Sequence, residues 1–183
     1  MRRFSILLAV LAVVLPGAVA LRGQPVAVAQ EATPVAVEAA LTATLQDAAG
    51  QALGVAILAS GADGAVTVGV VAVGLAAGEH GIHVHETGAC DPAGEKAFAS
   101  AGGHYNPTGA EHGQHAGDLG NITADQDGTA AFRAATDRFG LDELVDEDGA
   151  AIVIHAEEDE NDPEGTSFGA RFACGVLVAA PAG

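Results

Sequence analysis

Short apolar runs alternate with turn-forming residues along most of this chain. From about residue 39 the runs ALTATLQ, ALGVAILA and AVTVGVVAVGL are separated by AAGQ and SGADG, and HGIHVHE, NITADQDGTAAF, AAIVIH and RFACGVLVA follow. Runs of this length, bounded by Gly and Asp and lacking a sustained 3.6-residue period, are typical of β-strands. The pattern therefore predicts an all-β sandwich or barrel formed by a single domain, residues 39–183.

Two longer segments interrupt this rhythm, one from about 86 to 117 and the other from about 156 to 170. Most connections in a compact domain are short, and the long ones tend to be functional. We therefore expect these two segments to be loops that carry the chemistry of the protein.

The N-terminal residues follow a different pattern. The stretch MRRFSILLAVLAVVLPGAVA has a positive start, an apolar run, a Pro-Gly break and small residues at its end. This layout predicts a secretory signal peptide over 1–20, and a second Ala-Val-Ala at 27–29 allows cleavage as late as residue 29. The Pro/Ala/Val-rich stretch 21–38 is expected to be a flexible linker. An uncleaved membrane anchor is the alternative, but the apolar run is shorter than the roughly 20 residues that a span needs.

Export would place the mature protein in the medium or in a periplasm. In such a compartment the two cysteines, Cys90 and Cys174, are expected to form a disulfide with each other. No cysteine directly follows the apolar run, which excludes a lipid anchor on cysteine.

The chain is strongly acidic, with 24 Asp and Glu against 7 Lys and Arg and a net charge of −17. Residues 1–29 carry three arginines and no acid, so their removal takes the charge to −20. A surface this acidic repels nucleic acid and anionic lipid, and we expect neither as a partner.

Seven histidines all lie between residues 80 and 155. The most specific element is His83-Val84-His85, because residues i and i+2 of a strand point to the same face and two imidazoles there can converge on one ion. Ile82 and Val84 would then point into the core. The pair is followed by five further donors, His104, His112, His115, Asp118 and His155. Imidazoles with a single carboxylate suit copper and zinc, whereas calcium and magnesium prefer oxygen ligands.

The strings GEHGIHVHETGAC, SAGGHYNP, HAGDLGN and GARFACGV resemble the copper,zinc superoxide dismutases, in the same order and across roughly residues 40–180. The short stretch from His85 to Cys90 resembles the bacterial, secreted branch. The resemblance implies a Greek-key, immunoglobulin-like β-sandwich or barrel of about eight antiparallel strands. It also implies an enzyme that converts superoxide to dioxygen and hydrogen peroxide with one copper and one zinc.

The resemblance further implies a role for each matching residue. The implied copper ligands are His83, His85, His104 and His155, and the implied zinc ligands are His104, His112, His115 and Asp118. His104 would bridge the metals and take a proton during the reaction. Asp159 matches the carboxylate that links a copper histidine to a zinc histidine, and Arg171 matches the arginine that holds the anion beside copper. His80 matches a structural histidine and differs in strand parity from His83.

This sequence departs from the family pattern in two places. His112 and His115 lie in the compact run EHGQHAGD, so the loop that presents the zinc ligands is shortened and a copper-only dismutase stays open as an alternative. The loop AEEDENDPEGTSFG carries six acids and no base, although many members use positive charge there to attract superoxide. Lys96, the only lysine, is therefore expected to guide the substrate together with Arg171; the alternative is an ordinary solvated lysine.

Rival functions remain at this stage. An exported copper-binding module without turnover would not need Arg171 beside an open copper position. A copper-chaperone domain would be expected to have a separate Cys-x-x-Cys motif, which the sequence lacks. A purely structural sandwich leaves the histidines unexplained. The sequence does not decide between a monomer and a homodimer.

Overall fold

The computed structural model describes residues 39–165 and 167–181. The predicted signal peptide (1–20) and linker (21–38) lie outside these residues. Among the residues described, no helix is long and apolar enough to cross a membrane.

The described chain forms nine strands and two short 3₁₀ turns. The strands are β1 (Ala39–Gln46), β2 (Ala52–Ser60), β3 (Val66–Ala72), β4 (Gly78–His85), β5 (Asp118–Ala124), β6 (Ala130–Thr136), β7 (Ala151–His155), β8 (Arg171–Val176) and β9 (Val178–Ala179). The 3₁₀ turns are Ala99–Ala101 and Asp142–Leu144. The all-β prediction is confirmed.

Eight of these strands close an antiparallel barrel in the order β1-β2-β3-β6-β5-β4-β7-β8, and β9 continues β8 along the same edge of β1 in the same register. The chain leaves β3 to form β4, and leaves β6 to form β7, in each case passing to a strand that is not its neighbour. This is the expected Greek-key order with the expected eight strands.

Strand pairing is sparse at two seams of the barrel. Strands β5 and β6 pair only at Ala124 and Ala130, and β1 pairs with β8 at Gln46–Cys174 and with β9 at Thr42–Val178 and Leu41–Ala179. The barrel is therefore flattened into two sheets, β1-β2-β3-β6 and β5-β4-β7-β8-β9, which face each other across the core as in a sandwich.

In the first sheet, burial alternates along the strands. On β3, Val66, Val68 and Val70 are buried, whereas Val71 is 53% exposed. Burial of one face only is the physical reason for the period of two. Two predicted runs each prove to be two strands. NITADQDGTAAF turns between β5 and β6, where the Gly128 N–H donates to the Asp125 carbonyl at 2.9 Å, and RFACGVLVA breaks at Leu177.

Strands β4 and β7 are buried on both faces. Ile82 and Val84 join the hydrophobic core, as predicted, while His83 and His85 point to the opposite face. That face is covered by the two long loops, which join β4 to β5 (86–117) and β7 to β8 (156–170). The fold thus creates a second, polar interior between one sheet and its loops.

Candidate metal centre

Four histidines converge at the face of β4 that the loops cover. His83 and His85 lie on β4, and His155 ends β7. His104 lies on the long loop, where its backbone pairs with that of His85 in an antiparallel arrangement. The long loop follows the backbone of β4, because the Tyr105 N–H donates to the Val84 carbonyl at 2.8 Å. One ring nitrogen from each of the four histidines lies within 4.8 Å of the others, a spacing that could hold one metal ion.

Hydrogen bonds fix the orientation of three of these rings. His83 Nε2 lies 2.7 Å from Asp159 Oδ2, and His85 Nδ1 donates to the Gly102 carbonyl at 3.1 Å. His155 Nδ1 lies 3.4 Å from the Gly169 carbonyl. Each ring therefore turns its other nitrogen toward the centre of the group.

These inward nitrogens, His83 Nδ1, His85 Nε2 and His155 Nε2, are buried and have no hydrogen-bond partner among the described residues. A buried polar atom without a partner costs free energy, so several at one point call for a bound group. Imidazole nitrogens held by second hydrogen bonds are the donors that copper accepts in proteins. The site therefore fits copper.

Burial strongly lowers the pKa of each of these three histidines. Desolvation is the largest cause at His83, followed by the nearby His104. The pKa of His85 falls to about 2 and that of His155 to about 3, again mainly through desolvation. The rings are accordingly neutral at neutral pH, the form in which imidazole binds a metal.

A second group of donors consists of His104, His112, His115 and Asp118, whose ligand atoms also lie within 4.8 Å of one another. His104 Nδ1 lies 2.8 Å from Asp118 Oδ1, and His115 Nδ1 lies 3.3 Å from the same oxygen. His104 belongs to both groups. The shortened loop thus still brings all four predicted zinc donors together.

The geometry around His112 fits a cation in this second group. His112 Nε2 lies 3.0 Å from Asp159 Oδ1 and donates to it, so in the neutral ring, the form that binds a metal, Nδ1 carries the lone pair. That lone pair faces Asp118 Oδ2 at 3.8 Å. Burial alone would raise the pKa of Asp118, but the hydrogen bond and charge of His104 outweigh it, so the pKa is about 2. Two acceptors that face each other are stabilised by a cation between them, and three imidazoles with one carboxylate suit zinc.

The carboxylate of Asp159 connects the two groups. One oxygen bonds to His83 and the other to His112, and the residue is only 1% exposed. Asn121 on β5 holds its backbone, donating to the Asp159 carbonyl at 2.9 Å and accepting from the Asp159 N–H at 2.8 Å. Sequence reasoning assigned no role to Asn121, although it ends the string HAGDLGN.

His80 lies outside both groups. Its Nδ1 and Nε2 are each 2.9 Å from a backbone carbonyl, of His155 and Ala76 respectively. The side chain therefore braces the end of β7, in keeping with the structural role expected for it.

A cavity of about 530 Å³ opens beside His155, with Glu95, Lys96, Phe168 and Arg171 in its wall. Arg171 donates to the carbonyls of Phe98 and Gly102, and burial lowers its pKa. The Gly102 carbonyl thus accepts from both Arg171 and His85. The structure brings the two predicted cations, Lys96 and Arg171, to one cavity next to the first histidine group.

The predicted disulfide between Cys90 and Cys174 is confirmed. It ties the first part of the long loop to β8, three residues beyond Arg171. Cys174 is buried together with Phe98 and Val153, so the bond lies in a small apolar cluster under this part of the loop.

Comparison with known proteins agrees with this geometry. Residues 52–177 match the family model described as copper/zinc superoxide dismutase. The Cu/Zn superoxide dismutase from Brucella abortus is 28% identical with a TM-score of 0.64, covering 76% of this chain and 99% of that one. A SOD-like protein from Bacillus subtilis is 33% identical with a TM-score of 0.65, covering 75% of this chain and 97% of that one.

The chain belongs to the copper/zinc superoxide dismutase family. The expected function, superoxide dismutation, and the expected cofactors, copper and zinc, are those of the family, and the two donor groups have the composition that these metals need.

Proposed function

We propose that this protein is an exported superoxide dismutase with a copper in the His83 group and a zinc in the His112 group. The observation that supports this best is the set of buried imidazole nitrogens that have no hydrogen-bond partner in the described part of the chain, next to a cavity lined by Arg171. The family match supports the same reaction, in which two superoxide ions and two protons give dioxygen and hydrogen peroxide.

In this proposal the protein holds and orients both metals. His83, His85, His104 and His155 bind copper, while His104, His112, His115 and Asp118 bind zinc. Asp159 fixes the rings of His83 and His112 by accepting a hydrogen bond from each. When bound, copper supplies the one-electron chemistry of dismutation, for which zinc is unsuited because it has no redox chemistry.

His104 and Arg171 act on the substrate, His104 by proton transfer and Arg171 by binding the anion. Because His104 belongs to both donor groups, its Nδ1 stays beside Asp118 while its Nε2 holds a proton and delivers it to the product. The guanidinium of Arg171 is fixed by two backbone carbonyls and holds the superoxide anion at the cavity.

Metal analysis of the purified, exported protein tests the assignment. We expect one copper and one zinc per chain, and superoxide consumption that rises when copper is added to metal-free protein. Copper bound without superoxide consumption would instead support the binding-module alternative. Full activity with copper and no zinc would support the copper-only dismutase. Sedimentation of the same sample gives the oligomeric state.

Export is tested by the mass of the same exported protein. We expect an N-terminus just after residue 20 or just after residue 29, and recovery from the medium or a periplasm. A full-length chain recovered from the cytoplasm would contradict the proposed localisation.

Lys96 is proposed to guide superoxide to the cavity. It is exposed in the cavity wall beside Glu95. The charged residues of the loop between His155 and Arg171 are all acidic, so this loop adds no positive charge. Lys96→Glu should lower kcat/KM and weaken its dependence on ionic strength, because the local attraction for an anion is lost. Arg133→Glu makes the same charge change at an exposed position on the other sheet, and should alter both quantities less. Equal effects of the two variants would contradict local guidance.

A further inference from the structure

The turn that carries two of the proposed zinc ligands is held by hydrogen bonds at both of its ends. The Asp118 N–H donates to the His115 carbonyl at 3.2 Å, and the His115 N–H donates to Asp118 Oδ2 at 3.0 Å. The carboxylate of Asp118 therefore takes its position partly from the shape of this turn. Any change in the turn moves the His115 ring and the Asp118 carboxylate together.

Arg138 contacts this turn from the connection between β6 and β7. Its Nη1 donates to the His115 carbonyl at 2.8 Å, and its Nη2 donates to the Asp118 carbonyl at 2.7 Å. Both distances are in the range of charge-assisted hydrogen bonds. A planar guanidinium holds its two nitrogens at a fixed separation, so one side chain sets the spacing between the first and last carbonyls of the turn.

The surroundings of the turn explain why such a contact matters in this chain. The ligand-bearing run EHGQHAGD is short, and it contains two glycines between His112 and Asp118. On one side the donor group borders a cavity of about 350 Å³ lined by Glu111, His112, His115 and Glu164. Packing on that side cannot hold the turn in place, and the nearby acids offer no counter-charge to Asp118.

We propose that Arg138 is a positioning residue for zinc: its guanidinium clamps the His115–Asp118 turn and so presents both ligands in the geometry that the metal requires. The inference rests on the proposed zinc site. The Arg138 guanidinium bonds to the backbone of the zinc-ligand turn and to no copper ligand among the described residues, so its effect is expected on zinc affinity and on zinc-site geometry.

The test uses Arg138→Lys, which keeps the charge and removes the planar fork, with Arg133→Lys as the matched control on an exposed part of β6. Metal-free protein with its disulfide intact is titrated with zinc against a chromophoric chelator. We expect zinc to bind about 10- to 100-fold more weakly to Arg138→Lys, the usual effect of removing a partner of a metal ligand, and with unchanged affinity to Arg133→Lys.

A second measurement separates positioning from simple loss of stability. Cobalt(II) in place of zinc should give an altered visible spectrum in Arg138→Lys, while copper affinity and the thermal midpoint of the metal-free protein stay close to those of the parent. Unchanged zinc affinity and cobalt spectrum would overturn the proposal. So would equal weakening of zinc and copper, since that indicates general unfolding. A parent protein that binds no zinc would overturn the proposed zinc site itself, whereas zinc binding without superoxide turnover leaves the role of Arg138 testable.

Discussion

The buried histidines predict a steep loss of stability when the metal-free protein is acidified. The pKa values of His83, His85 and His155 all lie far below the unfolded value of 6.5, chiefly because burial disfavours the charged ring. On acidification these three histidines therefore bind protons in the unfolded chain and stay neutral in the folded chain. Stability is fully present above about pH 6.5 and falls as the pH drops below it.

The size of this effect follows from linkage. Between pH 7.5 and 5.5, a histidine with an unfolded pKa of 6.5 that stays neutral when folded costs about 1.4 kcal/mol. Three such histidines cost about 4 kcal/mol, a large part of the 5–15 kcal/mol that stabilises a typical domain. Asp118 adds nothing in this window, since its pKa of about 2 affects stability only at lower pH.

Urea unfolding of the metal-free, disulfide-bonded protein, followed by circular dichroism over this pH range, measures the slope. We expect His85→Leu to reduce the slope by about one third, whatever its effect on absolute stability, because one of the three groups is removed. A free energy of unfolding that stays flat between pH 7.5 and 5.5 would mean that the rings protonate in the folded state, which would refute the prediction.

Two further predictions concern the disulfide and the Asp159 carboxylate. Replacing both Cys90 and Cys174 with Ser removes a disulfide that joins residues 84 positions apart, and should lower the free energy of unfolding by about 4 to 5 kcal/mol in urea titrations. A loss below about 1 kcal/mol would contradict stabilisation through the entropy of the unfolded chain. Asp159→Asn leaves one of two imidazole N–H groups without an acceptor and should weaken zinc binding about 10- to 100-fold in chelator titrations. Glu160→Gln, at an exposed neighbour, is the control, and equal zinc affinity in both variants would argue against the link.

Much of the fold could be predicted because burial leaves a pattern. Burial alternates along β2 and β3, and both are apolar runs bounded by turn residues, so the strands are visible in the sequence. Strands β4 and β7 are buried on both faces and show no such alternation, and their partners come from distant parts of the chain. Long-range pairing depends on the closure of the whole barrel, which no local pattern records.

The metal site, like the fold, could be predicted only in part. The metal-donor side chains are chemically distinctive, and the strand period places His83 and His85 on one face, so the sequence could nominate the donors. The resemblance to the copper,zinc superoxide dismutases divided them into two groups. Backbone acceptors such as the Gly102 and Gly169 carbonyls leave no trace in residue type, yet they orient His85 and His155. Arg138 also carried no signal, since an arginine on a loop of an acidic protein is most simply a solvated charge.

The division of the barrel into two sheets has an evolutionary consequence. All the donor side chains of both groups lie on β4, β5, β7 or the loops attached to them. The sheet β1-β2-β3-β6 contributes none, and it joins the other sheet through one residue pair at the β5–β6 seam and three pairs with β8 and β9 at the other seam. Its outer face can therefore diversify, for example toward new cellular surroundings, under selection that is largely independent of the chemistry. Mutations should accumulate unevenly in this protein, quickly on one side of the barrel and slowly on the other.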